Sequence, residues 1–163
     1  MTIVHFVYFS WKGSSQNLVT SIIKHLSKSG ISATFQRVEV QNPRCFQWFR
    51  TLAASEERPC ALNIHPIVVP ENCSVLVTCS PVWGGNISSG LRAALQQLPS
   101  FQNKVVSLCT ARGSAGNFHD QVKELLPHAN IIHNDSCFSE IRNDPPKFDA
   151  FVDSISTIIL SNI

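Results

Sequence analysis

The chain has 163 residues, of which 44% are hydrophobic and 15% are charged, and this composition excludes an intrinsically disordered protein. We expect a single globular domain over residues 1–163. The net charge of +2, without a basic stripe, argues against nucleic acid as a partner. No apolar run is long enough to cross a bilayer, and the start of the chain lacks the pattern of a signal peptide. We therefore expect a cytoplasmic protein that does not insert into membranes.

Strand patterns and helix patterns alternate along the chain. Short apolar runs predict buried strands, and apolar residues three and four apart predict helices with one buried face. Gly30 is suited to end the first helix, and prolines between positions 59 and 72 indicate a long connection. In chain order, the predicted elements are a strand at 3–9, a helix at 17–29, a strand at 34–40, a short helix at 46–54, a strand at 75–79, a helix at 90–98, a strand at 105–109, a helix at 118–126, a strand at 131–132 and a helix at 147–160.

This alternation predicts an α/β fold. The strands would form a doubly wound, five-stranded parallel sheet between two helical layers, which makes a three-layer α-β-α sandwich. In such sheets, ligands bind beyond the carboxyl ends of the strands, at the point where the strand order reverses. The loops that follow the first, third and fourth predicted strands are therefore the place to look for a binding site.

The cysteines and histidines give little sign of a metal site or a disulfide framework. The six cysteines form no CxxC pair, and in a reducing compartment free thiols are favoured. We interpret Cys79 and Cys109, which each end an apolar run, as small buried hydrophobic residues. The six histidines include no i,i+4 pair, which argues against a metal. We expect His5 to lie in the core and His119 to be solvated, with a proton-shuttling His119 as the alternative.

The loop after the first strand reads Ser-Trp-Lys-Gly-Ser-Ser-Gln-Asn, over residues 10–17. It leads into a helix N-terminus, where free amides and the helix dipole favour an anion. Gly13 would permit a sharp turn, and Lys12 would add positive charge. The loop is neither a Walker A sequence nor a GxGxxG sequence. A serine-capped turn without a ligand is the alternative interpretation.

The other two loops are also rich in glycine. The loop at 80–90, SPVWGGNISSG, places Trp83 beside two glycines, and an exposed tryptophan usually has something to stack on. The glycines would let the backbone approach a flat ring closely, whereas a Trp83 folded onto the core is the alternative. The loop at 110–117, TARGSAGN, is a weak signal alone, but it would flank the same crevice.

Together, the three loops resemble those of the flavodoxin family. The stretch YFSWKGSSQN is similar to the first flavodoxin loop, Ser/Thr-x-Thr-Gly-x-Thr, between a strand and a helix. The stretch SPVWGGNISSGLRAAL resembles the second flavin loop, in which Pro-x-Trp-Gly runs into a helix, and LCTARGSAGNF falls where the third loop belongs. The resemblance implies a flavodoxin-like fold, FMN as the cofactor, and redox partner proteins such as a flavodoxin reductase.

The resemblance also implies which residues surround FMN. The first loop would hold the phosphate, the second would line the isoalloxazine ring, and the third would close its other side. No side chain is expected to act as an acid or a base. The implied cofactor-binding residues are Ser10, Trp11, Lys12, Gly13, Ser14 and Ser15 from the first loop, Pro81, Val82, Trp83, Gly84 and Gly85 from the second, and Thr110, Ala111, Arg112, Gly113 and Gly116 from the third.

Two of the departures from the family pattern introduce a positive charge, and two others place Ser14 and Ser15 where the family usually has Asn and Thr. Lys12 replaces a threonine of the first loop, and Arg112 stands where flavodoxins commonly carry an aspartate. A cation near the ring would stabilise the anionic reduced flavin and raise its potential. The resemblance favours an electron carrier between redox partners. An NAD(P)H-dependent flavin or quinone oxidoreductase on the same fold is the first alternative, and a flavin-free binding module is the second.

Overall fold

The structure is a computed structural model that describes residues 3–40 and 64–163. The strands in these ranges are β1 (Ile3–Tyr8), β2 (Ala33–Arg37), β3 (Cys73–Trp83), β4 (Asn86–Ile87), β5 (Lys104–Ala111) and β6 (Asn130–Phe138). The helices in the same ranges are α1 (Ser14–Lys28), α2 (Ser89–Leu95), α3 (Phe118–Leu125), α4 (Ser139–Arg142) and α5 (Pro145–Leu160). None of these helices has the length and apolar character needed to cross a membrane.

Five strands form a parallel sheet in the order β2-β1-β3-β5-β6. The chain runs from β1 outward to β2 and then returns to the other side of β1 with β3. The strand order therefore reverses between β1 and β3, which is the position where ligands bind in open α/β sheets. The predicted five-stranded parallel sheet is confirmed, and the short strand β4 adds an antiparallel partner to β3.

The core consists of two apolar layers, one on each face of the sheet. Because side chains alternate along a strand, Val4 and Phe6 of β1 pack with α1 and α5, whereas Val7 packs with α2 and α3 on the opposite face. The central strands are almost fully buried, as expected for a parallel sheet covered by helices on both sides. The predicted three-layer sandwich is confirmed.

The structure corrects the predicted bounds of several elements. The largest error is at β6, which spans nine residues where a strand at 131–132 was predicted. Its polar stretch, which includes Asn134 and Asp135, belongs to an edge strand with many half-exposed side chains, so the apolar signal is weak. Helix α4 was not predicted. The helix predicted at 46–54 lies outside the described residues.

The interpretation of Cys79 and Cys109 as small buried residues is confirmed, and the other two cysteines that the structure describes are also buried. Cys73, Cys79, Cys109 and Cys137 are buried free thiols. Burial raises the pKa of the Cys137 thiol to about 11, while the nearby Arg142 guanidinium opposes that rise. These thiols therefore remain protonated at neutral pH and act as small packing groups. Cys45 and Cys60 lie outside the described residues.

Candidate functional site

The carboxyl ends of β1, β3 and β5 surround one open cavity of about 260 Å³. Every non-glycine residue of the predicted set lines this cavity, together with one residue that was not predicted. The five predicted glycines are not among the lining residues. The lining residues are Ser10, Trp11, Lys12, Ser14, Ser15, Pro81, Val82, Trp83, Thr110, Ala111, Arg112 and Arg142.

The first wall of the cavity is the turn between β1 and α1. Gly13 precedes the helix with a φ of 88°, a left-handed conformation that favours glycine. The Gln16 amide donates to Ser10 Oγ over 3.2 Å, and the Asn17 amide donates to Gly13 O over 2.8 Å. Within the described residues, the backbone amides of Ser14 and Ser15 have no hydrogen-bond acceptor. The helix therefore presents two free N–H donors at this end of the cavity.

A buried hydrogen bond joins the first wall to the third wall, which is the end of β5 and the loop that follows it. Ser15 Oγ on α1 lies 2.9 Å from Thr110 Oγ1 at the end of β5. Both hydroxyl groups belong to side chains that are almost fully buried. The Ser15 hydroxyl therefore contributes to holding the two walls together, in addition to lining the cavity.

The second wall differs from the sequence prediction, which placed a loop from residue 80. Strand β3 continues to Trp83, and β4 pairs back onto it, with Trp83 opposite Asn86. Gly84 and Gly85 form the two-residue turn between these strands, with φ values of 56° and 77°. A two-residue hairpin turn with positive φ at both positions favours glycine at each. The glycines therefore serve the hairpin turn, and the wall itself is a strand.

Trp83 combines the two alternatives weighed for it. Its ring packs edge-on against Phe9, with centroids 5.6 Å apart, and forms part of the apolar layer beneath α2. Its ring also lies 6.4 Å from Trp11 at an interplanar angle of 86°, and both indoles line the cavity. Trp11 is 42% exposed. The cavity therefore has an aromatic side that is anchored in the core at Trp83 and open to water at Trp11.

The glycines of the second and third loops hold these loops together. Gly116 has a φ of 53°, and a Cβ at this position would come within 2.6 Å of Gly85 Cα. The neighbouring Asn117 amide donates to Gly85 O over 2.7 Å. Gly85 and Gly116 therefore pack one loop against the other, and their predicted contact with the cofactor stays a prediction.

The side chain of Gln121, which the sequence analysis missed, fixes the hairpin to α3. Gln121 Oε1 accepts a hydrogen bond from the Ile87 amide over 2.8 Å, and Gln121 Nε2 donates to Asn86 Oδ1 over 2.7 Å. The side chain is 5% exposed, so both contacts are shielded from water. These bonds satisfy polar groups of β4 and position the hairpin that carries Trp83.

Arg142 is the lining residue that the sequence analysis missed. It lies on α4, directly after β6, and its Nη2 donates to Ala111 O over 3.1 Å. Because the predicted fifth strand ended at residue 132, its carboxyl end was placed too early for Arg142 to reach the site. A correct end for this strand would have put residues 139–142 beside the third loop.

The cavity is positively charged. Its charged lining residues are Lys12, Arg112 and Arg142, and the lining includes no carboxylate and no histidine. Within the described residues, none of these three cations forms an ion pair. In the same ranges, no group of three histidine, cysteine or acidic side chains could hold a metal ion. The positive charge of its lining therefore suits the site to an anionic ligand.

The prediction that His119 is solvated is wrong. Its Nδ1 lies 2.8 Å from Ser107 Oγ, and its Nε2 lies 3.1 Å from Ser136 Oγ. Cys109 Sγ also donates to Ser136 Oγ over 3.2 Å. His119 does not line the cavity, so the geometry assigns it to a hydrogen-bonded cluster that ties α3 to β5 and β6.

We expect the protein to lose stability as the pH falls below about 6.5. Burial lowers the pKa of His119, although Asp135 and Asp120 oppose this, and burial also lowers the pKa of His5. At mildly acidic pH these histidines are therefore protonated more readily in the unfolded chain than in the folded chain, and acidification favours unfolding. Urea unfolding measured between about pH 8 and pH 5 should show this decline.

The matched variants for this measurement are His119→Asn and His128→Asn. Asparagine retains a polar group at position 119 but does not titrate, so the decline in stability should become shallower. His128 is exposed, and its replacement should leave the slope unchanged. An identical slope in the His119 variant and the unmodified protein would contradict the prediction.

The sequence matches no protein-family model and no curated protein. A flavoprotein from Lactobacillus acidophilus NCFM in complex with FMN matches with a TM-score of 0.64 and 16% identity, covering 86% of this chain and 96% of that one. A mutant of flavodoxin from Pseudomonas aeruginosa matches with a TM-score of 0.57 and 15% identity, covering 96% of this chain and 97% of that one. The chain has the flavodoxin fold.

The same flavodoxin fold occurs within a longer protein. The flavodiiron protein from Giardia intestinalis matches with a TM-score of 0.57 and 13% identity, covering 98% of this chain and 36% of that one. At these identities the similarity establishes the fold. The function of this flavodoxin-fold chain has to be argued from its own cavity.

Proposed function

We propose that this protein binds FMN and carries electrons between redox partners, one of which is a separate reductase. The observation that carries the proposal is the cavity at the strand-order reversal, which joins free amides at a helix N-terminus to an aromatic wall. The similarity in fold to a flavoprotein in complex with FMN supports the proposal. FMN requires both features, because it has a phosphate at one end and a flat ring system at the other.

The phosphate of FMN would bind at the first wall. The free amides of Ser14 and Ser15 supply two donors there, and the Ser10 and Ser14 hydroxyl groups can supply two more. Lys12 adds a positive charge without a carboxylate partner among the described residues. This donor set fits a dianion and requires no metal ion.

The ring system of FMN would lie between the aromatic side of the cavity and the third loop. Bound flavin can accept and release electrons singly or in pairs, which is the chemistry that a carrier needs. Trp83 would pack on the ring, while Thr110 and Ala111, at the end of β5, would form the opposite side. The partly exposed Trp11 lies where a redox partner would approach.

Titration of the purified protein with FMN tests the proposal. We expect saturable quenching of flavin fluorescence with one FMN per chain, and a reversible reduction of the bound flavin. Riboflavin should bind more weakly, because it lacks the phosphate. Absence of FMN binding would contradict the proposal and favour the flavin-free binding module.

Replacing Lys12 by threonine should weaken FMN binding roughly fivefold, which corresponds to about 1 kcal/mol for an exposed charge contact. Riboflavin affinity should stay nearly constant, because the lost charge acts on the phosphate. The two dissociation constants can be measured by fluorescence titration. Lys24→Thr, an exposed change on α1 outside the cavity, is the matched control and should affect neither ligand.

If Lys12→Thr weakens riboflavin as much as FMN, the first wall does not hold the phosphate. FMN binding could then still occur in the cavity, but in another orientation. The ratio of the two affinities therefore tests the placement of the phosphate separately from binding itself.

An NAD(P)H-dependent flavin or quinone oxidoreductase is the second candidate function. It is favoured by the charge of the cavity, because Arg112 and Arg142 exceed what a single phosphate at the first wall requires. A phosphate-bearing nicotinamide cofactor is an anion that such a mouth would attract. NADPH oxidation by the FMN-loaded protein alone, with a quinone as acceptor, would identify the enzyme. Flavin reduction that depends on an added reductase would identify the carrier.

A further inference from the structure

Arg142 is a partly buried cation without a counter-ion in the part of the chain that the structure describes. Arg142 lines the cavity, and the one hydrogen bond of its guanidinium within these ranges goes to Ala111 O. The ion pairs in the described ranges involve other residues. A charge withdrawn from water without a partner is unfavourable, and an anion in the cavity would relieve this cost. Arg142 therefore points to negative charge on the ligand.

Helix α4 holds Arg142 and the third loop in a fixed relation. Ser139 Oγ donates to Arg112 O over 2.7 Å, and the Ser139 amide donates to the same oxygen over 3.4 Å. Arg142 Nη2 donates to the preceding carbonyl, Ala111 O. Two adjacent carbonyls at the end of β5 are thus bound by one short helix. The backbone that carries Arg112 is fixed from the same side as the guanidinium of Arg142.

Arg112 and Arg142 lie on a different wall of the cavity from the groups that would donate to the phosphate. The free amides and Lys12 lie at the β1–α1 turn, whereas Arg112 and Arg142 lie at the ends of β5 and β6. A phosphate bound at the first wall would not balance the positive charge at the third wall. Oxidised FMN carries no negative charge on its ring. Reduced FMN gains two electrons and two protons, and on losing one of these protons its ring becomes an anion.

We propose that Arg142, held against the third loop by α4, selects the anionic reduced form of bound flavin over the oxidised form. The inference rests on the proposed function and adds a residue that determines which oxidation state the cavity favours. The charge of Arg142 stabilises the negative charge that the flavin ring carries after a net uptake of two electrons and one proton. Arg112, on the backbone that α4 fixes, acts in the same direction.

The first test uses the unmodified protein. The midpoint potential of the bound FMN is measured against pH by spectroelectrochemistry. The midpoint potential falls as the pH rises. The slope of this fall halves at the pH above which reduction takes up one proton instead of two. We expect this change of slope at a lower pH than for free reduced FMN, because a nearby cation favours the anionic form of the reduced flavin. A break at or above the pH found for free FMN would overturn the proposal without any variant.

The second test compares three substitutions. Arg142→Gln keeps a donor for Ala111 O and removes the charge, whereas Arg142→Lys keeps the charge. In Arg142→Gln, affinity for reduced FMN should fall about tenfold relative to oxidised FMN, which corresponds to about 30 mV for a two-electron couple. In Arg142→Lys, the ratio of the affinities for reduced and oxidised FMN should stay close to that of the unmodified protein. Arg92→Gln, on α2 and outside the cavity, makes the same charge change and should have no effect.

The outcomes separate this inference from the proposed function. Equal weakening of oxidised and reduced FMN in Arg142→Gln would mean that Arg142 only supports the loop, and would overturn the inference alone. Failure of the unmodified protein to bind FMN would overturn the proposed function and this inference with it. A lower potential in Arg142→Gln, restored by Arg142→Lys, would establish the selection by charge.

Discussion

Replacing Gly116 by alanine should destabilise the fold by about 3 kcal/mol, because the new Cβ meets backbone and the left-handed φ disfavours alanine. The Cβ would lie within 2.6 Å of Gly85 Cα, and neither backbone segment can rotate away as a flexible side chain could. The Asn117–Gly85 hydrogen bond of 2.7 Å would be lost or stretched in the process. For a chain of this size, Tm should fall by roughly 10 °C, measured by calorimetry.

Gly113→Ala is the control for this prediction. Gly113 lies in the same loop, has no positive φ, and a Cβ there would meet nothing within 4 Å. We expect its Tm to change little or to rise slightly, since alanine restricts the unfolded chain. A similar Tm loss in both variants would show that the close approach of Gly116 to Gly85 is not the cause.

Replacing Trp83 by alanine should weaken FMN binding by about tenfold to a hundredfold, the range measured for stacking of a base on an aromatic side chain. The indole forms the anchored part of the aromatic wall, so its removal takes away both a contact surface and a support for Trp11. Flavin fluorescence quenching gives the dissociation constant directly. The loss should be similar for FMN and riboflavin, because both carry the ring.

Two further variants separate stacking from the general loss of packing around Phe9. Trp83→Phe keeps an aromatic ring against Phe9 and should retain most of the affinity. Trp11→Ala removes the more exposed indole and should cost less affinity than Trp83→Ala, since Trp11 is 42% exposed. An unchanged affinity in Trp83→Ala would show that the ring does not lie against this wall.

The fold was predictable because its signals are local. The apolar runs of β1, β3 and β5 and the one-sided apolar spacing of α1 and α5 are set by burial between two helical layers, and such patterns are visible in a single sequence. The edge strand β6 was missed over most of its length because its exposed and half-exposed residues, such as Asn134 and Asp135, carry no such pattern. The parallel arrangement of the strands followed from the alternation of strands and helices, whereas their order in the sheet was not predicted.

The residues that line the cavity could be predicted only in part, because contacts between distant segments are not encoded in local sequence patterns. Glycine-rich loops mark the ends of the central strands, and this is why the non-glycine residues of the predicted set line the cavity. The sequence does not distinguish a glycine that faces a ligand from one that, like Gly84, forms a hairpin turn. Arg142 reaches the cavity through α4 and β6, and its role depends on the end of a strand that the pattern does not reveal.

The Ser15–Thr110 hydrogen bond and the Asn117–Gly85 hydrogen bond link the three walls of the cavity through the protein itself. Neither bond depends on a ligand, so the walls are arranged before binding and little conformational entropy is lost when the cavity fills. In the proposed role of an electron carrier, the same links would have a second effect. Walls that need not move when the flavin changes charge keep the reorganisation energy of each electron transfer small, and exchange with a partner can then be fast in both directions.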